Sequence, residues 1–207
     1  MQKEESRNSD QNYPTKFDSE NSSDLSNVSH FCNANNANKV LLATAVVNVY
    51  NDQFEIVPCR ALLDCGSQMN FATERLVKRL GISTCNSNVV ISGVGRELVQ
   101  SHSSVNHHVK SRVNDFNAKI NCVVLSNITQ KLPQHFVSLD AIKIPEGLTL
   151  ADPNFNVPDD IDMLIGTDLF WKAICARQIK SQASGPTLQK TQFGWVISGQ
   201  IQISLVS

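Results

Sequence analysis

The sequence lacks three features that would each assign it to a large class of proteins. Its formal net charge is −1 and it has no block of basic residues, which argues against a nucleic-acid-binding module, because such modules present a basic face. No apolar run approaches the roughly 20 residues of a membrane-spanning helix. The N-terminus is polar, unlike a secretory signal. We therefore expect no nucleic acid and no membrane among its partners, and a cytoplasmic location.

Metal-ligand patterns are also missing. The six cysteines include no C-x-x-C pair, and no histidine lies at metal-ligand spacing from any of them. Scattered cysteines without a secretory signal predict a reducing compartment and mostly buried thiols. We therefore expect no metal site, no disulfide framework and no cofactor.

Composition divides the chain into three segments. Residues 1–38 are rich in Asn and Ser and poor in large apolar residues, so they cannot bury enough apolar surface to offset the entropy of ordering. We predict a disordered leader over 1–38, one domain over 39–200 and a C-terminal tail over 201–207. A chain of 207 residues, 41% of them hydrophobic, suits one globular domain of this size.

Asp64 carries the strongest chemical signal. The apolar run 61–63 ends in this carboxylate, and Cys65, Gly66 and Ser67 follow at once. Burying an ionised carboxylate is costly without suitable partners, and the glycine permits a tight turn or a close backbone approach. An aspartic protease presents its catalytic carboxylate in this way, at the end of a strand. A strand that ends in a turn, with Asp64 accepting local backbone hydrogen bonds, explains the same residues.

The segments on either side of Asp64 predict a hairpin and a helix. Residues 40–50 and 53–57 are β-rich and flank a turn signal, so Asp64 arrives on the return limb of a hairpin. Residues 72–80 place apolar side chains at helical spacing, and Gly81 is a natural end for that helix. Its simplest role is packing.

A further apolar strand runs into the Gly-x-Gly turn formed by Gly93 and Gly95. No Lys-Ser/Thr follows this pair, so a phosphate-binding loop is only weakly indicated, and a mobile hairpin explains the pattern better. The polar residues 96–110 contain the pair His107 and His108, which we expect to be exposed to solvent rather than to bind a metal.

The second half of the chain contains one more strand-to-helix transition. Residues 129–160 are irregular and rich in proline, which predicts a long surface excursion. The apolar strand 161–165 then meets a glycine, after which Thr167 or Asp168 is placed to cap a helix over 169–174. A role for Asp168 as a second catalytic carboxylate is the less favoured alternative to capping.

Four segments, in this order, resemble a retropepsin-like aspartic protease, and specifically the protease region of Bel/Pao-type LTR retrotransposon polyproteins. The segments are ALLDCGSQ at 61–68, ISGVG at 91–95, DMLIG at 162–166 and FGWVISG at 193–199. The resemblance covers roughly residues 40–200. Each motif alone is weak, but four in the right order are specific.

The resemblance implies a mainly β fold, a small closed β-barrel of the retropepsin-like type with one or two short helices. It implies peptide-bond hydrolysis in a polyprotein, in the cytoplasm or within virus-like particles, with Asp64 as the catalytic residue. The active-site loop would be Cys65, Gly66 and Ser67. The substrate-binding flap would be Ile91, Ser92, Gly93, Val94 and Gly95. The structural support of the site would be Leu164, Ile165 and Gly166.

This resemblance also implies a homodimer. The mechanism needs two carboxylates about 3 Å apart that share one proton, so that one acts as acid and the other as base. The chain contains only one Asp-x-Gly, at Asp64, so the second carboxylate would come from another copy. The expected partners are therefore a second copy of the chain and a peptide or polyprotein substrate.

Two departures from the family favour a different class of function. The family usually has Ser or Thr where this chain has Cys65, and a thiol is a weaker hydrogen-bonding group than a hydroxyl, which predicts looser loops and lower activity. The reverse transcriptase and integrase regions are also absent, as expected for a fragment, a processed product or a degenerate copy. The alternative is therefore a catalytically inactive, domesticated protein-interaction module.

Overall fold

The computed structural model describes residues 38–93, 98–181 and 185–202, which contain eleven strands, two α-helices and one short 3₁₀ helix (Leu139–Ala141). The first strands are β1 (Asn38–Leu41), β2 (Thr44–Tyr50), β3 (Ile56–Leu63) and β4 (Asn70–Thr73), followed by helix α1 (Glu74–Leu80). Then come β5 (Cys85–Ser92), β6 (Leu98–Lys110), β7 (Asn117–Leu125) and β8 (Met163–Ile165). The last elements are α2 (Thr167–Ala173), β9 (Ile174–Lys180), β10 (Thr187–Thr191) and β11 (Gly194–Gln202).

Six of these strands close into a barrel. Seven strands form one sheet in the order β2-β3-β8-β4-β7-β6-β5, and an additional pairing of β2 with β6 closes the sheet on itself. Asn48 and Val49 of β2 make that closing contact with Lys110 and Val109 of β6. The predicted mainly β fold, a small closed barrel with two short helices, is confirmed.

The barrel core follows from period-2 alternation. On β6, Val105 and Val109 are buried while their neighbours Asn106 and His108 are exposed. The matching β2 residues Ala45, Val47 and Val49 are fully buried. Because successive side chains on a strand point to opposite faces, one face of each strand fills the barrel. The opposite face of β6 is exposed at Asn106 and His108, whereas that of β3, β4, β7 and β8 is covered by a separate apolar cluster.

The remaining four strands form a second sheet, in the order β1-β11-β10-β9. Its buried residues include Leu188, Trp195 and Ile197, which form a second core cluster with Val137 and Phe155 of the long segment before β8. The expected strand over 40–50 is therefore two strands: β1 joins this second sheet, and β2 begins the barrel. The expected strand over 53–57 begins only at Ile56, because the residues before it form the turn.

Helix α1 ends before Gly81 as the sequence predicts, but it begins at Glu74 rather than at residue 72, because Ala72 and Thr73 belong to β4. The Thr73 hydroxyl accepts a hydrogen bond from the Leu76 amide at 3.1 Å, and Gly81 ends the helix in the left-handed conformation at φ 66°. Leu76 and Leu80 are buried in the barrel core. No helix among the described residues has the length and apolar character needed to cross a membrane.

Two expectations about exposure are wrong. His107 is buried because it lies on the barrel-facing side of β6, whereas His108 is exposed. Residues 129–160 are irregular, as predicted, but they are not only a surface excursion: Val137, Ile142 and Phe155 are buried against the second sheet. An irregular segment with apolar residues at intervals covers an otherwise exposed sheet face. Of the leader predicted over 1–38, residues 1–37 lie outside the described part of the chain, and Asn38 is the first residue of β1.

Candidate active site

Asp64 lies where two parallel strands end side by side. Strand β8 is inserted between β3 and β4, parallel to β3 and antiparallel to β4. Leu63 of β3 pairs with Ile165 of β8, so the residues that follow both strands, Asp64 and Gly166, emerge at the same edge. The chain that returns from Asp64 to β4 therefore forms a loop around the end of β8.

The Asp64 carboxylate is half-buried and oriented by its own loop. Its backbone amide donates to the Ile165 carbonyl at 3.0 Å, and its Oδ1 atom accepts from the Gly66 amide at 2.9 Å. A Cβ atom at Gly66 would lie 3.3 Å from Oδ1, so a larger residue would crowd the carboxylate. The local hydrogen bond of the turn interpretation is present, and it leaves Oδ2 free of any hydrogen bond within the described structure.

The predicted loop residues lie around this carboxylate. Cys65 is exposed with a free thiol, and Ser67 donates its hydroxyl to the Met69 carbonyl at 2.9 Å. The Ser67 amide lies 3.4 Å from the Asp64 carbonyl, which completes a tight turn.

Gly166 lets the end of β8 touch the loop. A Cβ atom there would lie 2.3 Å from the Met69 carbonyl oxygen and 2.9 Å from that of Ser67. Its φ of −84° is ordinary, so the glycine is required by close approach rather than by conformation. Leu164 and Ile165, the other predicted supports, are buried in two different core clusters.

Sequence reasoning missed two residues at this junction. The buried Asn70 accepts a hydrogen bond from the Gly166 amide at 2.9 Å. The Thr167 hydroxyl lies 2.8 Å from the carbonyl oxygens of both Cys65 and Ser67. A polar Asn at the start of an apolar strand was the available signal for Asn70. Nothing in the local sequence indicated the contacts of Thr167.

The capping prediction for the second helix is wrong. The N-cap of α2 is Gly166, without a side-chain cap, and Thr167 and Asp168 already belong to the first turn. The Thr167 hydroxyl is used by the Asp64 loop instead. Asp168 is exposed, and a carboxylate in a first helical turn is favourable because it faces the positive end of the helix dipole.

The hairpin of β5 and β6 brings part of the predicted flap near the strands of the site. Ile91 pairs with Val99, and both are half-buried against an apolar cluster that contains Leu62 and Leu164. Leu62 and Leu164 are neighbours across the β3–β8 pair that leads to Asp64. Ser92 continues the hairpin and Gly93 follows it, whereas Val94 and Gly95 lie outside the described residues.

The buried thiols and histidine of the barrel form a neutral interior rather than a reactive site. Burial raises the pKa of both Cys59 and Cys122 well above the ordinary value for a thiol. Burial, followed by the nearby His108, lowers the pKa of His107 to about 4. The Cys122 Sγ atom lies 3.9 Å from His107 Nε2, a contact between two uncharged groups at neutral pH.

Charged residues cluster elsewhere, and their arrangement is structural. A cavity of about 390 Å³ is lined by Arg60, Arg75, Arg79 and five acidic or amide residues of the 152–162 segment, without Asp64. The buried Arg60 pairs with Asp152 at 2.6 Å, and Arg79 pairs with Asp162 at 3.1 Å. Within the described part of the chain, no group of three His, Cys, Asp or Glu residues is placed to hold a metal ion.

Comparison with known proteins assigns a family to this chain. No curated protein matches the chain. The family described as "Putative peptidase (DUF1758)" matches residues 47–203, which is more than half of the chain and includes Asp64 and Gly166. The chain therefore belongs to the DUF1758 family, and residues 47–203 form a peptidase-like region.

Proposed function

We propose that this protein is an aspartic endopeptidase that works as a homodimer and cleaves a retrotransposon polyprotein. The observation that carries the proposal is the position of Asp64, half-buried at the joined ends of β3 and β8 in a peptidase-like region. The polyprotein substrate rests on the resemblance of the four sequence segments to Bel/Pao-type proteases. No cofactor is needed for this chemistry.

The proposed mechanism uses the same carboxylate twice. Asp64 and the Asp64 of a second copy would share one proton, because two like charges about 3 Å apart cannot both ionise. A water molecule attacks the scissile carbonyl while the ionised carboxylate takes its proton. The protonated carboxyl donates its own proton to the carbonyl oxygen. The Gly66 amide, bonded to Oδ1, keeps each carboxylate oriented for this exchange.

The test is cleavage of a peptide library by the purified chain, compared with its Asp64→Asn variant. Asp64→Asn removes the only group that can take the water proton, so we expect cleavage to fall by at least about 10³-fold with an unchanged melting temperature. The matched control is Asp168→Asn, an exposed aspartate on α2, which should cleave like the wild type. An Asp64→Asn variant that cleaves at the parent rate would exclude Asp64 as the catalytic residue.

Cys65 favours a second candidate function, a catalytically inactive interaction module. Retropepsin-like proteases usually have the hydroxyl of Ser or Thr at this position, and a thiol weakens the hydrogen bonding available to the loop. The module would bind partner proteins without cleaving them. Peptide cleavage that a pepstatin-like inhibitor blocks would decide for the enzyme, and a dimer without any cleavage across the library would decide for the module.

A further inference from the structure

We infer that Thr167 is a positioning residue for the Asp64 loop, an inference that rests on the proposed function. Its hydroxyl lies 2.8 Å from the Cys65 carbonyl oxygen and 2.8 Å from the Ser67 carbonyl oxygen, so its single proton is shared between them. Its backbone amide donates to the same Ser67 carbonyl, also at 2.8 Å. One residue thus holds the loop on both sides of Gly66.

The contact depends on the close approach of β8 to the loop. Gly166 has no Cβ and therefore lies against the Met69 and Ser67 carbonyls, and the buried Asn70 side chain accepts its amide hydrogen. These contacts bring Thr167, the next residue, directly under the loop. Because the backbone of Thr167 is already held, its hydroxyl lies at a fixed position beside the loop carbonyls.

The usual alternative for a threonine here is helix capping, and the geometry excludes it. The cap of α2 is Gly166, and no side-chain hydrogen bond caps that helix end. Both oxygens that the Thr167 hydroxyl contacts belong to the loop about 100 residues earlier in the chain. Its contribution is therefore to the loop and not to the helix.

Thr167 supports the turn that orients the Asp64 carboxylate. The Gly66 amide orients the Asp64 carboxylate, and Gly66 lies between the two carbonyls that Thr167 holds. If the hydroxyl is removed, those carbonyls lose a hydrogen bond and the turn is free to shift. A shift of about 1 Å at a catalytic group is enough to reduce a rate by up to about 10²-fold.

The first experiment measures peptide cleavage by Thr167→Val and Thr167→Ser in the full chain. Valine keeps the branched shape without the hydroxyl, so we expect kcat to fall about 10-fold with KM changed less than about 2-fold. Serine keeps the hydroxyl and should restore kcat to near the wild-type value. The matched control is Thr187→Val on β10 in the second sheet, which should leave kcat unchanged.

The pH profile separates positioning from simple loss of folded protein. The proposed carboxylate pair gives a bell-shaped dependence of kcat on pH, and the width of the bell is the difference between the two pKa values of the pair. When the carboxylates move apart, their coupling weakens and this difference becomes smaller. We expect Thr167→Val to narrow the bell. Because acid also weakens the barrel, kcat at each pH is divided by the folded fraction measured by circular dichroism at that pH. A corrected profile with unchanged width would overturn the inference.

The second experiment needs no activity and follows hydrogen exchange of the backbone amides over residues 64–70. We expect Thr167→Val to exchange about 10-fold faster than the wild type there, because the loop opens more often. Thr167→Ser should match the wild type. Unchanged exchange in Thr167→Val would overturn the inference.

The two proposals fail in different ways. A wild-type chain without Asp64-dependent cleavage would overturn the proposed function and, with it, the role of Thr167 in positioning a catalytic group. Cleavage that depends on Asp64 but is the same in Thr167→Val and the wild type would overturn the inference about Thr167 alone.

Discussion

At the scale of single residues, Asp64 and His107 illustrate two opposite ways of placing an ionisable group. Asp64 is half-buried at a strand end, where a backbone amide donates to one carboxylate oxygen and solvent can still reach the side chain. His107 faces the barrel interior, and its Nδ1 atom has no hydrogen-bond partner within the described part of the chain. The first arrangement suits chemistry, whereas the second keeps a side chain uncharged.

The buried histidine predicts that acid weakens the barrel. Burial lowers the pKa of His107 to about 4 from 6.5, so the unfolded chain binds a proton before the folded one does as the pH falls. The free energy of unfolding is therefore highest above pH 6.5. It decreases as the pH falls toward 4, by on the order of 3 kcal/mol in total. Urea denaturation at a series of pH values measures this loss.

His107→Leu isolates that contribution. Leucine fills the site without a titratable group, so the free energy of unfolding should change much less between pH 6.5 and 4 than in the wild type. The control is His102→Leu, since His102 is an exposed histidine on the same strand, β6. The interpretation is wrong if His107→Leu loses as much stability in acid as the wild type does. Peptidase assays are accordingly best begun only slightly below neutral pH.

At the scale of secondary-structure elements, the insertion of β8 between β3 and β4 creates the site. The strand has only three residues, all buried, and its partners lie about 100 residues earlier in the chain. Asp162, just before it, accepts hydrogen bonds from Arg75 and Arg79 of α1. The short strand is therefore held at its beginning by ion pairs and at its end by Gly166.

Gly166→Ala should break this junction. The added Cβ would lie 2.3 Å from the Met69 carbonyl oxygen and 2.8 Å from its carbon, and backbone atoms cannot move aside cheaply. We expect a loss of about 2–3 kcal/mol in the free energy of unfolding, measured by urea denaturation.

The matched substitution is Gly93→Ala at the hairpin between β5 and β6. No described atom lies within 4 Å of a Cβ built on Gly93, so stability should change by less than about 0.5 kcal/mol. Equal effects of the two substitutions would contradict the close contact at Gly166.

At the scale of the whole molecule, a buried ion pair anchors the long irregular segment to the barrel. The Arg60 side chain bonds to Asp152 and also to the carbonyls of Leu132 and Asn154. Thr44 adds a hydrogen bond to the Asp152 carboxylate at 2.7 Å. Because both charges of this buried pair have several partners, the pair fixes the 129–160 segment against the barrel at Leu132, Asp152 and Asn154.

The proposed homodimer predicts that a wild-type protomer loses its activity when it pairs with an Asp64→Asn protomer. When wild-type chain is equilibrated with a tenfold excess of the Asp64→Asn variant, most wild-type protomers pair with a variant protomer. We expect the peptide-cleaving activity to fall to about one tenth, because mixed dimers carry only one functional carboxylate. An equal excess of inert protein serves as the control. Activity that persists at the undiluted level would show that a single chain is sufficient.

Sequence patterns located much of the fold and part of the site. The hairpin that leads to Asp64, the helix before Gly81 and the loop at Asp64 were predictable, because β-rich composition, helical spacing and glycine are local signals. Strands β9 and β10 were missed, since their residues lack a clear alternating pattern and are defined by pairing with β11. The prediction that His107 is exposed was wrong because the polar composition of residues 96–110 gives no sign that this position faces the barrel interior.

The sequence by itself determined that an apolar strand ends in Asp64 and that a glycine-bearing turn follows, because a strand end and a turn depend on adjacent residues. Only the tertiary structure decided which residues hold that turn. Asn70 and Thr167 act across 96 and 102 positions of the chain, a separation over which no local pattern carries information. Both contacts exist because β8 is paired between β3 and β4, two strands that precede it in the chain.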